Sequence, residues 1–328
     1  MHVLPAEKTR DRLIKASVET DPYHGKHPEK RSINELLQNS IILLDKPSGP
    51  TAHQVDSWVR DIFLGEKVGH AGTLDPKVTG ILPLGIGNAT RALSVLSQAG
   101  KEYVGIMRLH KHVEQEIIEK MFNKFTGKIT QLPPLRSAVK RRKRKRQIYY
   151  FQLLEQYEKN VLFRVGCEAG TYIRTLCADV GKQLDVGAHL AELRRTKVGR
   201  FTEAELVNLQ DVKDAFVFYQ QGNPDELKKV LHAVERVFNF LPKIIIRDSA
   251  IDAICHGATL AVPGVVEVDT EISKGNLIAL FSLKKEIVAI GQAKMSTEEI
   301  IQKDTGICMK PDKVFMKKGT YPSIWKKH

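Results

Sequence analysis

A mixed α+β body with a small β domain appended is the fold the sequence predicts, and three observations carry the prediction. Hydrophobic residues make up 42% and charged residues 27% of 328 residues, enough for a large core and a second domain. Strand-like and helix-like segments alternate up to Phe240 without the regular spacing of a βαβ series. Beyond Pro242 the pattern changes to short apolar runs, KIIIR, GVVEV, LIALFSL and EIVAIGQAKM, separated by Gly, Pro and charged turns.

In chain order, the first thirty residues are polar and read as an extended arm, ending in HGKHPEKRS before a short helical stretch, INELLQNS. Ser40 to Leu44 is a β-rich apolar run closed by a Pro/Gly-dense loop, Asp45-Lys46-Pro47-Ser48-Gly49-Pro50. From Thr51 to Phe63, Val55, Val59 and Ile62 recur at helical spacing behind a Thr51 N-cap. Glycines at 69, 72, 80, 85 and 87 demand tight backbone geometry. Strands are expected over Glu102 to Leu109, Ile148 to Leu154 and Val161 to Cys167. Helices are expected over Glu114 to Phe125, Tyr172 to Leu184 and Leu227 to Phe240.

The balance of 51 basic against 38 acidic residues leaves a net charge of +13, a field that attracts polyanions. Residues 243–328 hold 13 basic and 10 acidic side chains, so most of the excess lies on the larger domain. No apolar run approaches the roughly 18 residues of a membrane-spanning helix, and the N-terminal segment lacks the apolar core of a secretory signal. A cytoplasmic protein that binds nucleic acid rather than membrane is the expectation. Cys167, Cys177, Cys255 and Cys308 are widely spaced and read as free thiols rather than zinc ligands. G-x-x-x-x-G-K-[ST] is absent and Gly85-Ile86-Gly87-Asn88-Ala89-Thr90 fails G-x-G-x-x-G, which argues against a nucleotide cofactor.

Three segments can carry chemistry. In VGHAGTLDPKVTG, residues 68–80, Asp75 lies between an apolar Leu and a Pro of fixed φ, in a glycine-rich loop that another chain could approach. A rigidly held nucleophile and a turn aspartate making an Asx bond both fit these residues. Lys140 to Arg146 are seven successive cations that would bind phosphates by releasing counterions, or form a solvated basic turn. In CEAGTYIRTLC, Gly170 and Thr171 mark a helix entry, and Arg174 in the first turn gains nothing from the helix dipole, which points to a carboxylate partner. Leu193-Arg194-Arg195-Thr196-Lys197 is a further basic cluster that phosphate contact or solvation would explain equally.

Seven segments in order resemble the TruB-type pseudouridine synthases, specifically the dyskerin branch that works with H/ACA guide RNA. They are Leu44-Asp45-Lys46-Pro47 with Gly49-Pro50-Thr51, GHAGTLDPKVTG, GKEYVG, PPLRSAVKR, CEAGTYIRTLC, GAHLAELRRTKVG and DSAIDAICHGATLAVPG, the last similar to a PUA domain. A compact chain without long Lys-rich tails is most similar to the archaeal members. The resemblance implies an α+β pseudouridine synthase fold, a central mixed sheet with two subdomains around a cleft, over residues 31–242. It implies a PUA β-barrel over 243–328 and an arm, 1–30, packing on that domain.

By the same resemblance Asp75 is the catalytic aspartate and neither metal nor organic cofactor is needed. Tyr103 stacks on the target uracil, Arg174 pairs with the catalytic carboxylate, and His70 lies beside the flipped-out nucleotide. Tyr172 and Leu193 wall the pocket, and Lys46, the basic residue of the first motif, is a further substrate-binding residue. Base flipping is expected because a stacked nucleotide hides its glycosidic bond. Residues 134–149 would close over substrate RNA, making Arg136, Lys140, Arg141, Arg142, Lys143, Arg144, Lys145 and Arg146 RNA contacts, with Arg195 a further one. In the PUA-like domain His256, Gly257, Pro263 and Gly264 would approach the guide RNA. Ala71 and Ala52 stand where relatives often have Gly or Ser and Ser, departures that remove no catalytic group.

The implied assembly is a box H/ACA ribonucleoprotein with guide RNA, an rRNA or tRNA substrate, a small zinc-ribbon nucleolar-type protein, a Gar-type protein and a kink-turn-binding ribosomal-type protein. Guide-independent modification of tRNA uridine 55, or a non-catalytic RNA scaffold in which Asp75 is structural, are the alternative readings.

Overall fold

The computed structural model describes residues 3–133 and 142–323. The chain forms two compact units, each assembled from two stretches of sequence. One joins the described residues up to Lys8 with Leu37–His232, and the other joins Thr9–Leu36 with Ala233 onward.

In the larger unit the strands run in the order Asn39–Lys46, Thr79–Gly87, Ala188–Val198, Lys101–Leu109, Asn160–Cys167, Arg144–Tyr157 and Gly127–Gln131, with Val68–His70 pairing beside Thr79–Gly87. Neighbours are antiparallel except at one point. There Thr79 and Gly80 run parallel to Arg194 and Arg195, joining two antiparallel halves of the sheet. This close seam requires glycine. Gly80 has φ +97°, and a Cβ on it would stand 2.2 Å from the Arg195 carbonyl oxygen.

The helices form as their patterns dictate. Ala52–Ile62 is capped by Thr51, whose hydroxyl accepts from Gln54 N while the Gln54 side chain returns to Thr51 N. Gln115–Phe125 buries Ile118 and Phe122, and Ile173–Gln183 buries Ile173, Leu176, Cys177 and Val180. These faces share one core with Phe151, Phe163 and Met107 from the sheet, Phe122 stacking on Phe151 at 3.7 Å.

Several expectations change. The apolar spacing of Leu227 to Phe240 is helical, but the helix stops at Val230 and a 3₁₀ turn covers Val234–Phe238. Leu231 between them is extended and buried, so core packing overrides the local periodicity. The glycine-rich stretch is mostly strand, and the cation run does not stay a loop: its last three residues open the strand Arg144–Tyr157. All four cysteines are free and buried.

The smaller unit orders its strands as Arg12–Ile14, Val265–Asp269, Lys243–Ile246, Leu277–Ser282, Ile287–Ala293, Ile307–Val314 and Leu260–Ala261. It begins ten residues before the expected boundary at 243, because Glu235 is held inside it. Arg31 grips both Glu235 carboxylate oxygens, at 2.8 and 2.7 Å, and Ile287 N donates to one of them. The expected arm also divides. Arg12–Ile14 adds an edge strand to Val265–Asp269, and Thr20 and Asp21 N donate to the Asp248 carboxylate. No helix among the described residues is long and apolar enough to cross a membrane.

Candidate active site

The loop between Val68–His70 and Thr79–Gly87 carries Asp75, and its sequence explains its shape. Leu74 and Val78 are 4% and 9% exposed and belong to the same core as Tyr103, Phe163 and Ile173. Burying two such side chains contributes roughly 1.5–3 kcal/mol each and leaves the intervening Asp75 outside, its side chain 57% exposed. Val78 N donates to the Asp75 carbonyl at 3.0 Å, so the segment closes as a turn.

Buried cations tie the loop down from below. Lys46, fully buried, donates to the carbonyls of Pro47, Pro76 and Val78 at 2.8, 2.9 and 3.0 Å, and burial lowers its pKa. Arg195, also fully buried, donates to the carbonyls of Gly72 and Ile81, both at 2.8 Å. Two expectations are corrected here. Lys46 faces backbone rather than substrate, and Arg195 is inside the sheet and cannot touch RNA, because the strand alternation that exposes its neighbours turns it inward.

Across the loop, Arg174 stands in the first turn of Ile173–Gln183 and pairs with the Asp75 carboxylate. The expected carboxylate partner is therefore Asp75 itself. Both side chains are more than half exposed, so the pair is open to a ligand. Tyr172 caps the helix, held through its backbone by Gln131. Gln131 Oε1 accepts from Tyr172 N at 3.0 Å, and Gln131 Nε2 donates to the Tyr172 carbonyl at 3.1 Å. Gln131 is 2% exposed, a supporting residue that a lone Gln in the sequence does not signal.

Tyr103 lies on Lys101–Leu109 directly opposite Arg195, and Leu193 is opposite Gly105 on the same face. Tyr103 is 8% exposed. Burial raises its pKa, with the Arg195 guanidinium opposing that shift. His70 is held by Asp56, its Nδ1 2.6 Å from Asp56 Oδ2, and its Nε2 lies 3.1 Å from the Thr73 hydroxyl. Asp56 went unread because it is a polar residue among the buried positions of an amphipathic helix. His53, Asp56 and His70 place donor atoms within 4.8 Å of one another, and the short His70–Asp56 contact is that of a hydrogen-bonded dyad. Ala71 and Ala52 are buried, and Ala71 acts through its backbone, its N–H donating to the Pro83 carbonyl.

The basic segments separate into exposed and committed charges. Arg136, Lys140 and Arg141 lie outside the described residues. Arg142, Lys143 and Lys145 are exposed and Arg144 is half-buried, paired in register with Gln131. Arg146 is not free for RNA in this arrangement, since it donates to the Gly170 carbonyl at 3.1 Å and meets Glu168 at 3.4 Å. In the 193–197 cluster, Arg194 makes a two-pronged contact with Asp45 and a further one with Glu203, while Lys197 pairs with Glu7 at 2.7 Å. Those charges hold the fold together.

In the smaller unit His256 and Gly257 are exposed at the end of the helix Asp248–Cys255. His256 Nδ1 lies 2.8 Å from the Asp252 carbonyl, and Gly257 has φ +91° with open space beside it. Pro263 is exposed and Gly264 half-buried, and a Cβ on Gly264 would stand 3.0 Å from Leu260 Cδ1 and 3.2 Å from Ala250 Cβ. His256 also lines a pocket with Asp252, Lys318, Gly319 and Tyr321.

Comparison with known proteins places this geometry. Residues 60–173 match the TruB family pseudouridylate synthase N-terminal domain and 174–239 the tRNA pseudouridylate synthase B C-terminal domain. Residues 3–56 match the DKCLD domain and 242–315 the PUA domain. The chain is 51% identical over 323 residues to "Probable tRNA pseudouridine synthase B" of Methanopyrus kandleri, covering 98% of this chain and 96% of that one. It is 50% identical over 327 residues to the protein of the same name from Thermococcus kodakarensis, at 99% and 97% coverage. Among solved structures, a chain of a Cbf5-Nop10-Gar1 complex aligns with TM-score 0.93 and 47% identity, covering 98% of this chain and 99% of that one. A chain of an H/ACA RNP bound to a substrate RNA containing 2'-deoxyuridine aligns with TM-score 0.91 and 44% identity, at 98% and 100% coverage.

Proposed function

Because the chain belongs to the TruB family and is an RNA pseudouridine synthase with a PUA domain, we propose that Asp75 is its catalytic carboxylate and that it works within a box H/ACA ribonucleoprotein. One observation carries the assignment of Asp75: a carboxylate held outside the core by buried neighbours on either side, on a loop bonded from below, and faced by an arginine. The ion pair with Arg174 favours the ionised carboxylate that the reaction uses.

Around it, Tyr103 and Leu193 form the floor and wall for the uracil, Tyr172 the opposite wall, and His70 the side next to the nucleotide. The glycosidic bond of a stacked uridine is out of reach, so the target nucleotide is flipped into this pocket. Lys46 and Arg195 hold the loop and Arg146 the entry to the Arg174 helix, while Arg142, Lys143 and Lys145, together with Arg136, Lys140 and Arg141 of the same segment, meet substrate RNA phosphates.

The full-length likeness to a chain found with Nop10, Gar1 and H/ACA RNA supports the assembly: guide RNA, the zinc-ribbon and Gar-type proteins, and a kink-turn-binding ribosomal-type protein, acting on rRNA in the cytoplasm. His256, Gly257 and Pro263 are the exposed groups of the PUA domain for the guide RNA. The names of the relatives favour a second activity, on tRNA, for which action without guide is the alternative reading.

The test compares wild type with Asp75→Ala on a T-loop tRNA transcript alone and on rRNA substrate with guide and partner proteins. Guide-dependent pseudouridine formation, lost in the variant, is expected. Activity surviving in Asp75→Ala overturns the assignment, and wild-type activity on the transcript alone adds the tRNA reading.

A further inference from the structure

Beneath Gly72 the sheet buries two cations that have no acidic partner among the described residues. Lys101 is 5% exposed and Arg195 fully buried. They lie on one face of the sheet. Lys101 and Tyr103 are two residues apart on one strand, and Arg195 is opposite Tyr103 on the next. A Cβ added to Gly72 would stand 3.0 Å from Lys101 Cε, 3.2 Å from Arg195 Nη1 and 3.7 Å from Lys101 Nζ, so both side chains reach the underside of the loop three residues before Asp75.

Arg195 spends Nε and Nη1 on carbonyls, its remaining buried nitrogen meets no carboxylate among the described residues, and its charge interacts with the Tyr103 hydroxyl. The Lys101 ammonium makes no side-chain hydrogen bond or ion pair with a described residue. Its ionisable surroundings are Arg195 on one flanking strand and the Cys167 thiol on the other, with Tyr103 along its own strand. Desolvation first, and the Arg195 charge second, bring the Lys101 pKa down to about 8, while burial pushes Cys167 up to about 12.

Two buried cations side by side without a carboxylate partner among the described residues oppose folding, and an apolar side chain of similar length at position 101 would stabilise the chain. The reaction offers what they lack. When uridine becomes pseudouridine, the C1′–N1 bond breaks with its electron pair left on the base. C5 then bonds to C1′, the C5 hydrogen leaves as a proton, and N1 takes up a proton. Between these events the base carries negative charge beside the Tyr103 face.

We propose that Lys101 and Arg195 form a buried cationic floor whose field stabilises the negative charge on the detached uracil, with Lys101 an electrostatic positioning residue that acts through space rather than by contact. A fixed positive field in a site closed to water favours charge that develops only during the reaction. The inference rests on the reading of the Asp75–Tyr103 pocket as the uridine site.

The experiment measures single-turnover pseudouridine formation in the assembled particle from pH 6 to 9.5 for wild type, Lys101→Met and Lys101→Arg, together with substrate RNA affinity and thermal stability. Lys101→Met is expected to slow the reaction at least tenfold at neutral pH, to leave RNA affinity within twofold, and to raise the melting temperature. The wild-type rate is expected to fall above pH about 8 as the ammonium loses its proton, and Lys101→Arg to hold its rate through pH 9. A Lys101→Met rate within twofold of wild type overturns the proposal. So does a loss of rate and stability together in both variants, or a Lys101→Arg profile that falls at the same pH as wild type. Asp75→Ala is run alongside: if it stays active the pocket itself is misassigned, an outcome distinct from failure of the floor.

Discussion

Replacing Lys46 by Met should release the catalytic loop without disturbing the rest of the sheet. The ammonium donates to three carbonyls at 2.8–3.0 Å, two of them, Pro76 and Val78, immediately beyond Asp75. Hydrogen bonds to a charged group are worth about 1.5–3 kcal/mol each, against a desolvation cost of several kcal/mol for the buried ammonium. The expected net loss is about 3 kcal/mol, a factor of roughly 150 in the local opening equilibrium.

Hydrogen exchange reads this directly. Gly49 N donates to the Pro76 carbonyl and Val78 N to the Asp75 carbonyl, so both amides should exchange about 100-fold faster in Lys46→Met, while amides of Asn160–Cys167 keep their protection. A loop displaced by about 1 Å should cost on the order of 100-fold in turnover. Lys46→Arg should not rescue either property, because a planar guanidinium cannot replace a compact ammonium among three converging carbonyls. Unchanged exchange at Gly49 and Val78 in Lys46→Met, or full activity in Lys46→Arg, would refute the reasoning.

Two further outcomes follow from the same geometry. Gly72→Ala places a Cβ at φ +70° against Lys101 and Arg195, so it should lower stability by about 1–2 kcal/mol in thermal melts and reduce pseudouridine formation further, through the adjoining Asp75 segment. A variant with Arg142, Lys143 and Lys145 all changed to Ala should bind substrate RNA more weakly, with a salt dependence shallower by about 0.7 for each phosphate that the variant leaves unneutralised. Titrations at several salt concentrations measure that slope, and an unchanged slope would exclude these side chains from the interface.

Much of the site was legible in the sequence. Asp75 between Leu74 and Pro76 reads as a held carboxylate because an apolar residue and a fixed φ are local facts, and Arg174 asks for an anion because a helix N-terminus repels it. Capping at Thr51 and the periodicity of Val55 and Val59 mark a helix for the same reason. The β alternation beyond Pro242 likewise announces a separate sheet.

Partnership was not legible. Nothing near Arg195 in the chain distinguishes it from Arg194, yet one is sealed beneath Gly72 and the other pairs with Asp45 and Glu203, because strand alternation points them to opposite faces of the sheet. Asp56 and His70 meet only when helix Ala52–Ile62 lies beside Val68–His70, and residues 9–36 join the smaller unit through partners some 200–260 residues away, Arg12–Ile14 against Val265–Asp269, Asp21 against Asp248 and Arg31 against Glu235. The helical spacing of Leu227 to Phe240 was misleading for the complementary reason: burial on several sides rewarded an extended Leu231 over another turn of helix. Local chemistry thus determined the elements and the loop that carries Asp75. Which cations became buried, and what they support, was decided by strand register and long-range packing, where the free energy depends on neighbours far away in the chain.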